Sequence, residues 1–122
     1  MTEENLLEHQ IHSRTAKQLD CLAPLLKFLW FSVPNEGHRS GRFGARLKSM
    51  GMKAGVTDIN IVKDGGGYFG IELKTRKGKQ SAVQKDWQAR CEELHIPYYL
   101  CRSVNEVITV LEKEFNRKIE GA

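Results

Sequence analysis

The stretch GVTDINIVKDGGGYFGIELK, Gly55 to Lys74, decides how this chain folds. Gly65, Gly66 and Gly67 separate two runs rich in β-branched and aromatic residues, which is the pattern of a hairpin. The strands are expected over Asp58 to Val62 and Tyr68 to Thr75. Side chains alternate between faces along a strand. Asp58 and Asn60 therefore share one face and Ile59 and Ile61 the other, while Glu72 and Lys74 lie together with Ile71 and Leu73 opposite. A hairpin centred on Gly65 sets the residue seven before it against the residue seven after it, which pairs Asp58 with Glu72. Directly opposed residues have Cβ atoms only about 5 Å apart.

Two carboxylates held that close repel each other, and no structural role requires the arrangement. A divalent cation between them turns repulsion into attraction, with water and substrate oxygens filling the rest of an incomplete Mg²⁺ shell. Lys74, one pleat further on, adds a positive charge able to orient or activate an attacking water. It could equally stabilise charge building on a phosphorane-like transition state. A plainer alternative stands beside this one: a polar strand face with an E-x-K triplet on a solvated edge, its register shifted by a bulge.

Before the hairpin, Leu7, Ile11, Leu19 and Leu22 predict a helix from Glu3 to Leu22, ended by Pro24. Lys27 to Val33, KFLWFSV, predicts a buried strand closed by Pro34 and Asn35. Arg39 to Met50 predicts a helix with Arg39, Arg42 and Arg46 along one side, and Gly51 and Gly55 punctuate the approach to the hairpin. After the hairpin, Ser81 opens a helix with an apolar stripe of Val83, Trp87, Cys91 and Leu94. Ile96 to Cys101 is the fourth strand. Ser103 caps a last helix, with Glu106 completing a capping box and Val104, Val107, Ile108, Leu111 and Phe115 facing inward. The expected fold is α/β: a mixed four-stranded sheet flanked by helices, in the order α-β-(α)-β-β-α-β-α.

The 122 residues suffice for one domain, 1–122, and not for two independent cores. With 40% hydrophobic and 28% charged residues the chain falls in the soluble globular class. No apolar run approaches the roughly 20 residues of a membrane span. The start, MTEENLLEHQ, is acidic where a secretory signal is basic and then apolar, so the expected place is the cytoplasm. Cys21, Cys91 and Cys101 have neither disulfide nor zinc spacing and are expected as buried free thiols. His9, His12, His38 and His95 form no ligand pattern, and Trp30 and Trp87 are expected in the core.

The net charge of +4 is modest, but its distribution is uneven. Arg39, Arg42, Arg46, Lys48 and Lys53 follow His38 with no acid among them, and Lys74, Arg76, Lys77 and Lys79 form a second group. Such clusters suit a polyanion, and a merely solvated basic surface has the same composition.

Beyond the hairpin, several quoted segments together resemble one family. LEHQI, WFSVPNEGHRSGRFGARLKSMGMKAGVTDINIV and GIELKTRKGKQSAVQKDWQARCEELHIPYYLCRSVNEVITVLEKEF follow each other as do the elements of the PD-(D/E)XK nucleases, specifically the VRR-NUC (virus-type replication-repair nuclease) branch and its small stand-alone phage members. The resemblance spans nearly the whole chain. It implies that Asp58 and Glu72 are metal ligands with the backbone carbonyl of Leu73 a third, and that Lys74 is the catalytic lysine. It also places Gln84 near the site, where the alternative is the N3 partner of Ser81 in a capping box, the two roles requiring different conformations. Glu8 would correspond to the acid of the first helix that helps hold water at the metal, against the alternative of a solvent-facing acid beside Glu3 and Glu4. Thr57 departs from the family, which has proline there. Since proline binds nothing, its loss is expected to change strand entry more than chemistry.

What the resemblance implies is a Mg²⁺- or Mn²⁺-dependent DNA endonuclease acting on branched or structured DNA, with water attacking in line at Asp58 and Glu72, assisted by Lys74. Arg39, Arg42, Arg46, Lys48, Lys53, Arg76 and Lys77 would hold the DNA backbone without reading bases. A homodimer and a host-cell cytoplasmic setting are further implications. The competing hypothesis is a non-catalytic nucleic-acid-binding module that keeps the fold, and a third is a metal-stabilised structural protein.

Overall fold

The structure, a computed structural model, describes residues 6–33 and 41–120. Glu3, Glu4, Pro34, Asn35, His38 and Arg39 lie outside the described residues. The elements in chain order are α1 (Glu8–Leu26), β1 (Phe28–Ser32), α2 (Gly41–Ser49), β2 (Ile59–Lys63), β3 (Tyr68–Leu73), α3 (Ala82–Glu93), β4 (Tyr98–Cys101) and α4 (Val104–Phe115). The strands form one mixed sheet in the order β1-β2-β3-β4, with β1–β2 and β2–β3 antiparallel and β3–β4 parallel.

The central strand β3 explains the layering. Phe69 to Leu73 are all buried, so both of its faces are covered. Phe69, Ile71 and Leu73 point with Ile59 and Ile61 into the apolar cluster built with Ile11 and Leu19 of α1 and Val107 and Leu111 of α4. Phe115 of α4 closes one end of this layer against Phe28 and Phe69, at ring separations of 5.4 and 6.1 Å. Lys63 sits over the Phe69 and Phe115 rings and is anchored to Glu114 at 2.6 Å. The opposite face carries the polar side chains of the hairpin, with Gln84 and Trp87 of α3 next to it.

Several elements differ from the expectations. Pro24 lies inside α1, which continues to Leu26. A proline in the last turn disturbs only the amide partner of an exposed Asp20 carbonyl, and the helix stops instead at Lys27, which adopts the left-handed conformation and donates to the Ala23 carbonyl at 2.8 Å. At the other end Leu6 is buried and Leu7 is 58% exposed, because Leu7 is the N-cap rather than part of the stripe. The strand KFLWFSV is not buried: β1 is an edge strand, with Phe28 inside and Leu29 and Phe31 exposed. In α3 only Cys91 of the expected stripe is fully buried, while Val83 and Leu94 are exposed. Cys21 is exposed, whereas Cys91 and Cys101 are buried and all three thiols are free. Ser103 caps α4, but Glu106 accepts from the Arg102 amide rather than from Ser103, so the expected box is displaced by one residue. Helix α2 covers the basic segment from Gly41 on, and buries only Gly44.

Between β3 and α3 the chain makes a tight turn, in which Gly78 donates to the Thr75 carbonyl at 3.1 Å. Arg102, just beyond β4, grips this turn from the side. Its Nη1 donates to the carbonyls of Thr75 and Gly78 at 2.7 Å each and to that of Arg76 at 3.2 Å.

Candidate active site

The glycine turn sets the geometry. Gly65 and Gly66 take positive φ values of 88° and 105°, conformations that favour glycine, and the turn closes through Lys63 and Gly67 at 2.6 Å. The register that follows pairs Ile59 with Ile71, Asn60 with Gly70, Ile61 with Phe69 and Val62 with Tyr68. One step further the same register sets Asp58 opposite Glu72. Asp58 is fixed from both sides: its carbonyl accepts from Val33 at 2.9 Å, and its Oδ2 accepts from the Leu73 amide at 2.8 Å.

Glu72 is 1% exposed, one of the least accessible side chains in the protein. Its Oε2 accepts from Gln84 Nε2 at 2.6 Å, while its Oε1 has no hydrogen-bond partner among the described residues. Lys74 Nζ stands 3.9 Å from Glu72 Oε2 and 3.7 Å from Glu8 Oε1. The same Gln84 side chain accepts from the Ser81 amide through Oε1, at 2.8 Å. Gln84 is therefore capping residue and site residue in one conformation, which corrects the expectation that the roles exclude each other. Its two ends do different work: the carbonyl closes the box of α3 and the amide nitrogen reaches the carboxylate.

The electrostatics follow from this crowding. Burial pushes the Glu72 carboxyl up to about 8, with the facing Asp58 charge adding to the rise and Lys74 opposing it. Asp58 is also raised, first by burial, with Glu8 adding to it and the Leu73 amide, His12 and Lys74 working against it. Burial and the nearby Glu72 likewise raise the Tyr98 hydroxyl. An acid pair that resists ionising is what a cation would relieve.

The structure thus brings Asp58, Glu72, Lys74, Gln84 and Glu8 together, with Leu73 supplying its amide. Arg42, Arg46, Lys48 and Lys53 are exposed on α2 and the segment after it, and Arg76 and Lys77 are exposed on the turn beyond Lys74. His12 was missed by sequence reasoning. It lies one turn after Glu8 on α1, and its charge bears on Asp58; the i, i+4 spacing from Glu8 was the available signal. Thr57 was underrated. It is 1% exposed, and its hydroxyl donates to Asn60 Oδ1 at 2.8 Å, an oxygen that also accepts from the Tyr68 hydroxyl at 2.5 Å. Gly70 makes room for that network, since a Cβ there would lie 2.6 Å from Thr57 Oγ1.

Among the described residues no group of three or more His, Cys, Asp or Glu side chains is arranged to hold a metal ion. The donors present nonetheless fit a hard cation of open shell: two facing carboxylates, one with a buried oxygen that has no hydrogen-bond partner among the described residues.

A mixed four-stranded sheet with four helices, carrying a carboxylate pair at the open end of its central hairpin, defines an α/β fold. No family model matches the chain, and no curated protein matches it in sequence. A solved structure titled "VRR_NUC domain protein" superposes on it with a TM-score of 0.63 and 17% identity, over 93% of each chain. The chain has the fold of a VRR_NUC domain.

Proposed function

We propose that this chain is a metal-dependent endodeoxyribonuclease of the PD-(D/E)XK type, hydrolysing phosphodiester bonds in branched or otherwise structured DNA. The observation that carries the reading is the face-to-face pair Asp58 and Glu72, with a buried carboxylate oxygen left without a partner and Lys74 alongside. Asp58, Glu72 and the Leu73 carbonyl would hold Mg²⁺ or Mn²⁺. When bound, the ion supplies a Lewis acid for the scissile phosphate and acidifies water.

The protein's own groups do the rest. Lys74 lies where it can stabilise charge developing on the phosphate oxygens. Glu8 and Glu72 restrain its ammonium from two sides. Gln84 holds the Glu72 carboxylate by donating to one of its oxygens. Arg42, Arg46, Lys48, Lys53, Arg76 and Lys77 contribute sequence-independent phosphate contacts, and Arg39 extends this set in sequence. Cutting both strands of a duplex needs two such centres, which a homodimer in the host cytoplasm would supply.

The test incubates the purified protein with branched and linear DNA in Mg²⁺, Mn²⁺ or EDTA, alongside Asp58→Ala and Lys74→Ala. Cleavage should require the metal and vanish in both variants. Asp58→Ala should also bind Mn²⁺ more weakly while remaining folded, because removing one acid relieves the repulsion on the other. DNA binding without any metal-dependent cleavage would leave a binding module in place of an enzyme, and an unfolded Asp58→Ala would make the acid structural.

A further inference from the structure

One rung away from the carboxylates, on the same face of the sheet, lies an open slot of about 300 Å³. The register pairs Phe31 with Asn60 and Asn60 with Gly70, and the next rung holds Val33, Asp58 and Glu72. Two residues along a strand span about 7 Å, comparable with the reach of a single nucleotide. Phe31, Val33, Met52 and Trp87 line the slot with apolar and aromatic surface, and Asn60 and Lys53 add polar groups. Phe31 is 52% exposed, and the enclosed Trp87 indole nitrogen has no acceptor among the described residues.

We propose that this slot receives one unpaired nucleobase of the DNA held at the carboxylates, so that the protein selects DNA with an extrahelical or single-stranded nucleotide beside the cut. The inference rests on the nuclease reading and adds a substrate preference to it. Aromatic walls bind any base through its π-face. A volume at the lower end of ligand pockets suits one planar ring system rather than a helix or a lipid chain. Lys53 lines the slot and offers a cation to the phosphate of an entering nucleotide, which a purely apolar peptide lacks. A base stacked within a duplex must first be unstacked and unpaired to enter, whereas an unpaired one need not, and that difference is the source of the preference.

The chain contains two tryptophans, Trp30 and Trp87, so Trp30→Phe leaves Trp87 as the sole tryptophan, which is excited selectively over the tyrosines. In that background, with Lys74→Ala to keep the DNA uncut and Mg²⁺ present, a duplex carrying one unpaired nucleotide is titrated against its fully paired counterpart. The unpaired probe should bind about tenfold more tightly, within the range of one aromatic stack, and should quench Trp87. Phe31→Ala should remove that preference without changing the salt dependence of binding or the affinity for paired duplex. Phe31→Tyr, which keeps the ring, should restore it. Equal affinity for both probes, with Phe31→Ala indifferent and wild-type protein still cutting DNA, would overturn the slot and leave the nuclease standing. Absence of both salt-dependent binding and metal-dependent cleavage would remove the nuclease reading, and the slot's occupant with it.

Discussion

Replacing Gly55 by alanine tests how tightly the approach to the hairpin is built against α3. Gly55 has φ +80°, and a Cβ placed on it would lie 2.3 Å from the Val83 carbonyl oxygen, 2.5 Å from the Val83 carbonyl carbon and 2.9 Å from the Gln84 amide nitrogen. Ordinary contact begins near 3.4 Å, so the first turn of α3 has to retreat by about 1 Å, and no flexible side chain is there to yield instead. The left-handed backbone adds about 1–2 kcal/mol for a residue with a Cβ, and forced overpacking about 1–3 kcal/mol more. Gly51 provides the control: its φ is +97° but nothing among the described residues lies within 4 Å of a Cβ placed on it, so Gly51→Ala carries only the conformational part. Urea unfolding followed by circular dichroism should therefore show Gly55→Ala about 1–3 kcal/mol less stable than Gly51→Ala. The retreat also pulls Gln84 away from Glu72, now at 2.6 Å. On the proposed nuclease reading, a displacement of that size beside Glu72 lowers rate by about a hundredfold, so metal-dependent cleavage should fall that far in Gly55→Ala and stay near wild type in Gly51→Ala. Equal stability and equal cleavage in the two variants would refute the reasoning.

Without metal, stability should fall as pH rises through the range set by Glu72. The group is protonated in both states below about 4.5; above that the unfolded chain releases its proton first, while the folded chain holds it until about 8. The raised value thus favours the folded state at low pH and is lost on the way up, by about 3 kcal/mol at pH 7. Urea midpoints at pH 5, 7 and 9 in EDTA should show this slope in wild type and a flattened one in Glu72→Gln, with Mg²⁺ at pH 8 restoring only the wild type. The thiols offer an independent check on burial, since the Cys101 thiol is pushed up to about 12 by desolvation and Cys91 is raised as well. A disulfide reagent at pH 8 should label one thiol per native chain, Cys21, and all three after unfolding.

The register of the hairpin was legible because it depends on two local facts, a period of two along each strand and a glycine turn that fixes the centre. Those facts bring Asp58 opposite Glu72 without knowledge of any other element. The polar face of α3 was not legible in the same way. Val83 and Leu94 are apolar, but the helix lies over a buried carboxylate, so its inward positions go to Gln84 and to the partly apolar Trp87. The dual bonding of Gln84 depends on where α3 sits relative to β3, a tertiary fact that capping rules do not contain. Strand β1 was misread for a related reason: aromatic density marks both a central strand and an edge strand with a groove beside it. Pro24 misled because position within the turn, and not the residue alone, decides whether a proline ends a helix.

The grip of Arg102 on the turn after β3 acts on main-chain oxygens, those of Thr75, Arg76 and Gly78. A hold of that kind is blind to the side chains it carries. Residues 77 and 79 can therefore exchange lysine for arginine, or charge for neutrality, while the loop keeps its shape. On the proposed nuclease reading, strength of attachment to DNA becomes a quantity that mutation can adjust in small steps, with Glu72 and Lys74 a few residues away left undisturbed.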